Sequence, residues 1–140
     1  MRTLEDSLPL QLLKAREATL SFVRPLLQEN SLTEQQWRVL QTIKSHQELE
    51  SKALAEFCCI LSPSLTGILK RLEQQGYIQR RKSEEDKRRI LISLTSKSVD
   101  LLEHLTPAIE ERYQAFSERY DHEKLKQLMT LLEEIEAIEP

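Results

Sequence analysis

Apolar residues recur at helical spacing along most of the chain, and the breaks in that period predict six helices and one hairpin. The first helix spans residues 8–29, with Leu12, Leu13, Leu20, Phe22, Val23 and Leu27 apolar; Pro25 kinks it or marks its last turns. A second start signal follows, in which Thr33 is the N-cap, Gln36 holds the capping-box position, and Leu32 can staple onto Trp37. That helix runs to about Lys44 and is expected to bury Trp37, Leu40 and Ile43. Ser51 caps a short third helix, whose Leu54, Phe57, Cys58 and Leu61 repeat as one apolar face. Ser62 and Pro63 open a fourth as cap and first helical residue; Leu65, Ile68, Leu69 and Leu72 form its apolar face and Gly76 ends it.

The period then changes from 3.6 to 2. Residues 77–83 and 89–95 predict two strands, with Ile90, Ile92 and Leu94 pointing inward, around the charged loop 84–88. Thr95 caps a fifth helix, with Leu94 and Val99 as a staple. It carries Leu101, Leu102, Leu105, Ile109, Tyr113 and Phe116 up to Tyr120, with an interruption and a bend expected at Pro107. Asp121 caps a sixth, with Leu125, Leu128, Leu132, Ile135 and Ile138 on one stripe.

Composition narrows the class. With 140 residues the chain has the length of one domain, and two glycines are too few for a turn-rich sheet protein. The expected fold is mostly α. Residues 32–95 form a winged helix-turn-helix lobe, and residues 1–31 and 96–140 supply dimerisation helices, since the terminal helices carry more apolar surface than one small domain buries. No apolar run reaches the roughly 18–20 residues a bilayer requires. The N-terminus carries acids and lacks a small-residue cleavage site, so a cytoplasmic protein is expected. Cys58 and Cys59 are adjacent, a poor geometry for a structural disulfide, and no Cys/His spacing suits zinc. His46, His104 and His122 lie far apart, so neither a metal nor a cofactor is expected.

Charge is unevenly distributed. Residues 62–97 hold nine Lys/Arg against four Asp/Glu, whereas the remainder holds eleven against nineteen. A basic segment within an acidic chain points to a polyanion-binding face. On the fourth helix, Pro63, Gly67, Lys70 and Gln74 project opposite the apolar side, flanked by Ser64, Thr66 and Arg71. With Ser62, that face is small where it begins and cationic further along, which suits approach to base edges first and phosphates later. On the hairpin, Arg80, Arg81, Lys82, Lys87, Arg88 and Arg89 cluster on a thin projection suited to a minor groove, and Asp86 can brace Arg88. Taken singly, the helix also fits a core helix with a polar outside, and the hairpin a solvated charged turn.

The stretch LSPSLTGILKRLEQQGYIQRRKSEEDKRRILISLT, residues 61–95, resembles the DNA-binding core of MarR-type repressors. The motif residues are Arg71-Leu72-Glu73 with Gly76, then Asp86-Lys87-Arg88, then Leu94-Thr95; with the helix start at Leu32-Thr33 and the long terminal helices, the likeness spans essentially the whole chain. It implies a homodimer on a pseudo-palindromic double-stranded operator, with half-sites roughly 10 bp apart. The segments LLKAREATLSFVRP, LTEQQWR and CILSPSLTGIL further resemble the subgroup that represses an operon for homoprotocatechuate degradation. That resemblance implies an aromatic carboxylate effector of the hydroxyphenylacetate type, and derepression when it binds.

Arg16 gives the effector a physical footing. It stands on the apolar stripe of the first helix, where a buried cation needs a partner such as a ligand carboxylate. A salt bridge near Glu17 or to another subunit, or a side chain reaching water, would also satisfy it. Phe22, Trp37, Arg38 and Cys59 are weaker candidates for the same pocket: Trp37 also fits the core, and Arg38 a structural or surface role. Cys59, beside apolar Ile60 and Leu61, is expected to be a buried and inert thiol, though thiol sensing remains an alternative to a ligand. A helical module whose basic hairpin meets an acidic protein is the rival class. No catalytic triad, metal site or phosphate loop supports an enzyme.

Overall fold

Residues 8–29 form two helices rather than one in the computed structural model, α1 (Leu8–Leu20) and α2 (Arg24–Glu29). Pro25 has no N–H to continue the ladder back to Ser21, so the break falls a turn before it and Pro25 sits in the first turn of α2. The hydroxyls of Thr19 and Ser21 donate to the carbonyls of Arg16 and Ala18, 2.8 and 2.6 Å away, and occupy acceptors at the frayed end of α1. The structure describes Thr3 and residues 6–140; residues 1, 2, 4 and 5 of the first predicted dimerisation segment lie outside the described residues.

The other described elements are α3 (Glu34–His46), β1 (Glu48–Leu49), α4 (Ser51–Cys58), α5 (Ser62–Gln74), β2 (Ile78–Lys82), β3 (Ile90–Leu94), α6 (Ser96–Tyr120) and α7 (His122–Glu136). They group into two compact units, residues 26–107 and residues 1–25 with 108–140. Among the described residues no single helix is long and apolar enough to cross a membrane.

Residues 26–107 hold the core of Leu40, Ile43, Leu54, Leu65, Leu69, Leu72, Ile92 and Leu102, each nearly or wholly inaccessible. The capping box at the start of α3 forms as the spacing predicts. Gln36 N–H donates to Thr33 Oγ1 at 3.1 Å, and Thr33 N–H donates to Gln36 Oε1 at 3.0 Å. Two of the other predicted caps shift by one residue, whereas Thr95 and Asp121 stand directly before α6 and α7 as expected: Ser51 and Ser62 are the first residues of α4 and α5, and Glu50 and Leu61 hold the cap positions without a side-chain hydrogen bond. Because α4 ends at Cys58, Leu61 falls outside its period and is exposed, as is Phe57, which stacks on His46 instead of entering the core. Trp37 is half-buried, and Val39 takes the deeper position on α3.

The hairpin gains a third strand. The order is β1-β3-β2, antiparallel throughout, with Leu49 and Arg80 flanking Ile92 in register. Ile92 is buried as expected, whereas Ile90, two pairs nearer the tip, is exposed. The predicted interruption at Pro107 does not occur. α6 runs through it as one helix, because a proline removes a single donor and the flanking turns keep theirs.

Gly76 ends α5 with φ +77°; its N–H reaches Glu73 O at 3.0 Å and the Tyr77 N–H reaches Leu72 O at 2.9 Å. Thr95 and Ser98 clamp that turn to the start of α6. Thr95 Oγ1 donates to Gly76 O at 2.6 Å, and Ser98 Oγ donates to Tyr77 O at 2.7 Å while accepting from the Thr95 N–H at 3.1 Å. Ser98 is wholly buried, so Ser98→Ala removes both of these bonds and leaves the Thr95 N–H and Tyr77 O only their longer contact with each other, 3.3 Å. It is expected to cost about 1–3 kcal/mol in a denaturant titration.

In residues 1–25 with 108–140, Phe22 meets Phe116 edge-on at 5.3 Å, and Phe116 lies parallel to Tyr120 at 6.1 Å. Asp121, with φ +109°, caps α7 by accepting the Glu123 N–H at 3.2 Å. No side chain of α7 is buried within the chain, and Leu128, Met129, Leu131 and Ile135 are exposed on it.

Candidate nucleic-acid interface

α4 and α5 are joined by three residues, and the tightness of that turn depends on Cys59. With φ 55° it adopts the left-handed conformation, so that its N–H reaches Glu56 O and the Ile60 N–H reaches Ala55 O at 3.1 Å. This conformation usually favours glycine. α5 then buries Leu65, Leu69 and Leu72, half-buries Ile68, and exposes Ser62, Pro63, Ser64, Thr66, Gly67, Lys70, Arg71 and Gln74. The exposed face has the graded character that the sequence predicts. Thr66 Oγ1 donates to Ser62 O at 3.0 Å, leaving only its lone pairs for a partner.

Gly67 has an ordinary helical backbone, and a Cβ built there would meet no atom within 4 Å. Neither backbone strain nor packing requires glycine at this position. A glycine within a helix costs about 1 kcal/mol relative to alanine, so its use here leaves open space for something outside the chain. Beside it, Thr33, Gln35 and Gln36 at the start of α3 and Ser64, Gly67 and Arg71 of α5 line a groove of about 270 Å³.

The wing differs from the free cationic cluster that the sequence predicts. Arg81 makes a bidentate pair with Glu48 at 2.8 and 2.6 Å, Arg89 pairs with Glu50, and Arg80 lies 3.3 Å from Glu73. β1 causes the first two pairings, because it lays Glu48 opposite Ser93 and brings Glu50 beside the root of the hairpin. Arg81 holds the Glu48 carboxyl below the ordinary carboxylate range. Lys70, Arg71, Lys82 and Lys87 carry no ion pair among the described residues.

At the tip, Asp86 braces Arg88 as expected. Asp86 Oδ1 accepts from the Arg88 backbone N–H at 3.0 Å and from Nε at 3.1 Å, and Oδ2 accepts from Nη2 at 3.3 Å. These donors, the guanidinium first, hold the Asp86 carboxyl below its usual range. The brace is therefore intact at neutral pH and fails only as pH falls through that lowered value. Arg88 is still 92% exposed, a charge aimed outward by a short tether.

The effector candidates are placed differently from one another. Arg16 is 42% exposed and lies 3.7 Å from Glu17, whose other oxygen takes Arg24 at 2.7 Å. The buried, unsatisfied cation that the stripe predicts is absent, because the apolar side of α1 is itself exposed at Leu8, Leu12 and Leu13. Phe22 packs on Phe116. Arg38 is structural: Nη1 donates to Cys58 O at 2.7 Å, capping the end of α4, and Nη2 donates to Glu34 at 3.0 Å.

Of the two thiols, Cys58 lies on the buried face as its spacing predicts, and Cys59 overturns the expectation of burial. Cys59 is exposed, and Cys58 is the buried one, with burial pushing its thiol up from its ordinary value. A thiol reagent should therefore label roughly one cysteine per native chain, Cys59, and two after unfolding. Mass spectrometry of the labelled protein checks this.

Two polar atoms near this cluster are buried without a hydrogen-bond partner, Trp37 Nε1 and Arg38 Nε. The sequence marks Trp37 only as a weak candidate, since nothing in a helical pattern reveals which edge of an indole lacks an acceptor. The pairing of Glu48, Glu50 and Glu73 with the wing arginines is not legible in the sequence, because pairs 33, 39 and 7 positions apart depend on the register of a two-residue strand and on the turn after α5.

The sequence pattern of the MarR family matches residues 32–90. The homoprotocatechuate degradative operon repressor of Escherichia coli is 42% identical over 135 residues, covering 96% of this chain and 91% of that protein. Among solved structures, transcriptional regulator PA4135 superposes with a TM-score of 0.89 at 46% identity, covering 96% and 98% of the two chains. NadR in complex with 4-hydroxyphenylacetate superposes with a TM-score of 0.83 at 38% identity, over 99% of each.

Proposed function

Because this chain belongs to the MarR family of transcriptional regulators, we propose that it is a dimeric repressor of an aromatic-acid catabolic operon, released from its operator by a hydroxyphenylacetate-type carboxylate. The observation that carries this reading is the Trp37 indole N–H, a buried donor with no acceptor. Leaving such a donor unsatisfied costs about 1–3 kcal/mol. A carboxylate oxygen would satisfy it by a charge-assisted bond, and the adjacent Arg38 Nε, also unpartnered, offers a second donor. The similarity to a homoprotocatechuate operon repressor and to a 4-hydroxyphenylacetate-bound regulator supports the choice of acid.

On DNA, α5 of each subunit enters a major groove, with Ser62, Ser64, Thr66 and Gly67 toward the bases and Lys70 and Arg71 toward phosphate. The wing reaches the flanking minor groove through Lys87 and Arg88, oriented by Asp86; Arg80, Arg81 and Arg89 engage phosphate only by exchanging their carboxylate partners. Two-fold symmetry sets a pseudo-palindromic site with half-sites roughly 10 bp apart. The effector releases DNA by preferring a conformation that misfits the operator. A tenfold release requires a preference of about 1.4 kcal/mol for that state.

The dimer buries the apolar faces that α1 and α7 leave exposed. Leu131→Glu with Ile135→Glu should turn the dimer into a monomer in sedimentation experiments. A doubly substituted chain that remains dimeric removes α7 from the interface.

Trp37 is the only tryptophan, so its emission reports directly on the proposed effector site. Titration with 4-hydroxyphenylacetate should change that emission saturably. Trp37→Phe should keep DNA binding and lose its sensitivity to the acid. Emission that never saturates, with Trp37→Phe still released by the acid, contradicts the assignment.

A further inference from the structure

We infer that Leu61 is a base-reading residue whose side chain seats against thymine 5-methyl groups in the major groove. The inference rests on the operator-binding reading and adds what the tip of α5 recognises. Leu61 is 79% exposed, more than any other exposed large apolar residue described. It also occupies the N-cap of α5 and makes no side-chain hydrogen bond there. Ser, Thr, Asp and Asn are the residues that stabilise this position, and leucine is among the least suited. The chain therefore accepts a local disadvantage twice at one residue, in water exposure and in capping, at the end of the helix that approaches the bases first. Such local conflicts concentrate where a residue serves a partner.

The chemistry of the neighbouring residues identifies that partner group. Reading a guanine or adenine edge by paired hydrogen bonds takes Arg, Lys, Asn or Gln. The exposed residues from Leu61 to Gly67 include none of these: they are Leu61, Ser62, Pro63, Ser64, Thr66 and Gly67, and the Thr66 proton is already used by Ser62 O. The first charge on the face comes at Lys70. What the tip can offer a base pair is the hydroxyls of Ser62 and Ser64 and three apolar groups, Leu61, Pro63 and the Thr66 methyl, of which Leu61 is the largest. The thymine methyl is the one apolar group that a base pair presents in the major groove. Phe57, the neighbouring exposed apolar residue, has one ring face covered by His46 at 4.3 Å, which leaves Leu61 as the most exposed large apolar side chain at the tip.

The test uses a duplex carrying the site that the wild-type protein enriches from random DNA. Each thymine of a half-site is replaced in turn by deoxyuridine, which removes only the methyl group. At one or two positions per half-site the wild type should lose roughly fourfold in affinity per methyl. Leu61→Ala should bind the thymine duplex more weakly, by a similar factor, and show no further loss with deoxyuridine; Leu61→Asn should shift the enriched base at that position. Thermal melting confirms that both variants fold. Wild type that binds thymine and deoxyuridine duplexes equally, or Leu61→Ala that stays as methyl-sensitive as wild type, overturns the inference and leaves operator binding standing. Failure to enrich any site overturns the operator-binding reading and this inference with it.

Discussion

A Gly67→Glu variant should lose more than about a hundredfold in DNA affinity while melting no lower than the wild type. The fold side of this expectation follows from space and propensity. A Cβ at Gly67 meets nothing, the backbone is ordinary helix, and glutamate is a better helix residue than glycine by several tenths of a kcal/mol. The binding side follows from position. Gly67 lies at the centre of the exposed face of α5, with Pro63 one turn before it and Lys70 and Arg71 one turn after. A carboxylate there fills the clearance that the helix needs and sets a negative charge against DNA, a juxtaposition that costs several kcal/mol. A hundredfold loss corresponds to about 2.7 kcal/mol, well within that range. Gly67→Ala is the control, with a small effect expected on either measurement. Fluorescence anisotropy and thermal melting on the same samples decide it, and unimpaired binding by Gly67→Glu would take the outer face of α5 out of the groove.

Arg88→Ala should weaken binding by about tenfold and lower the slope of log affinity against log salt by about one per contact removed. Arg88 is the most exposed of the ion-paired arginines and stands at the wing tip. Asp86→Asn separates the brace from the charge. The arginine keeps its charge, so the salt slope should stay near wild type, while affinity falls because the side chain is no longer held toward the groove. Arg81→Ala should do less than Arg88→Ala, since Arg81 must first surrender Glu48. A salt titration of the three variants orders them, and equal slopes for Arg88→Ala and wild type would place the wing tip away from phosphate.

The legible part of this molecule is the part specified by local chemistry. The α3 capping box, the apolar face of α5, the glycine stop at Gly76 and the Asp86–Arg88 brace each depend on residues within about two helical turns of one another, and all are present in the structure. Features set by distant pairing were not legible. β1 is two residues long and has no alternation to detect; it exists because Leu49 completes the pairing beside Ile92. Its presence turns two arginines of the predicted cationic wing into ion-paired ones. The exposure of Cys59 was not legible either, because the left-handed turn that ends α4 falls there on a residue other than glycine, while Cys58 keeps the apolar-face position its spacing predicts. Arg16 shows the limit of reading burial from a stripe: the apolar side of α1 is not covered by its own chain, so the arginine on it is not buried either. The sequence could rank Trp37 no higher than its neighbours, whereas its buried, unpartnered N–H singles it out as the residue on which the proposed effector site rests.

Operator binding relieved by an aromatic acid is the central claim, and a mobility-shift experiment tests it most directly. The purified protein is mixed with the DNA upstream of its own gene, with and without 4-hydroxyphenylacetate, and with benzoate as a second acid. Specific, salt-dependent binding that 4-hydroxyphenylacetate releases, and that Trp37→Phe makes resistant to release, is the result the account predicts. Specific binding that neither acid alters, or release that proceeds unchanged in Trp37→Phe, would contradict it.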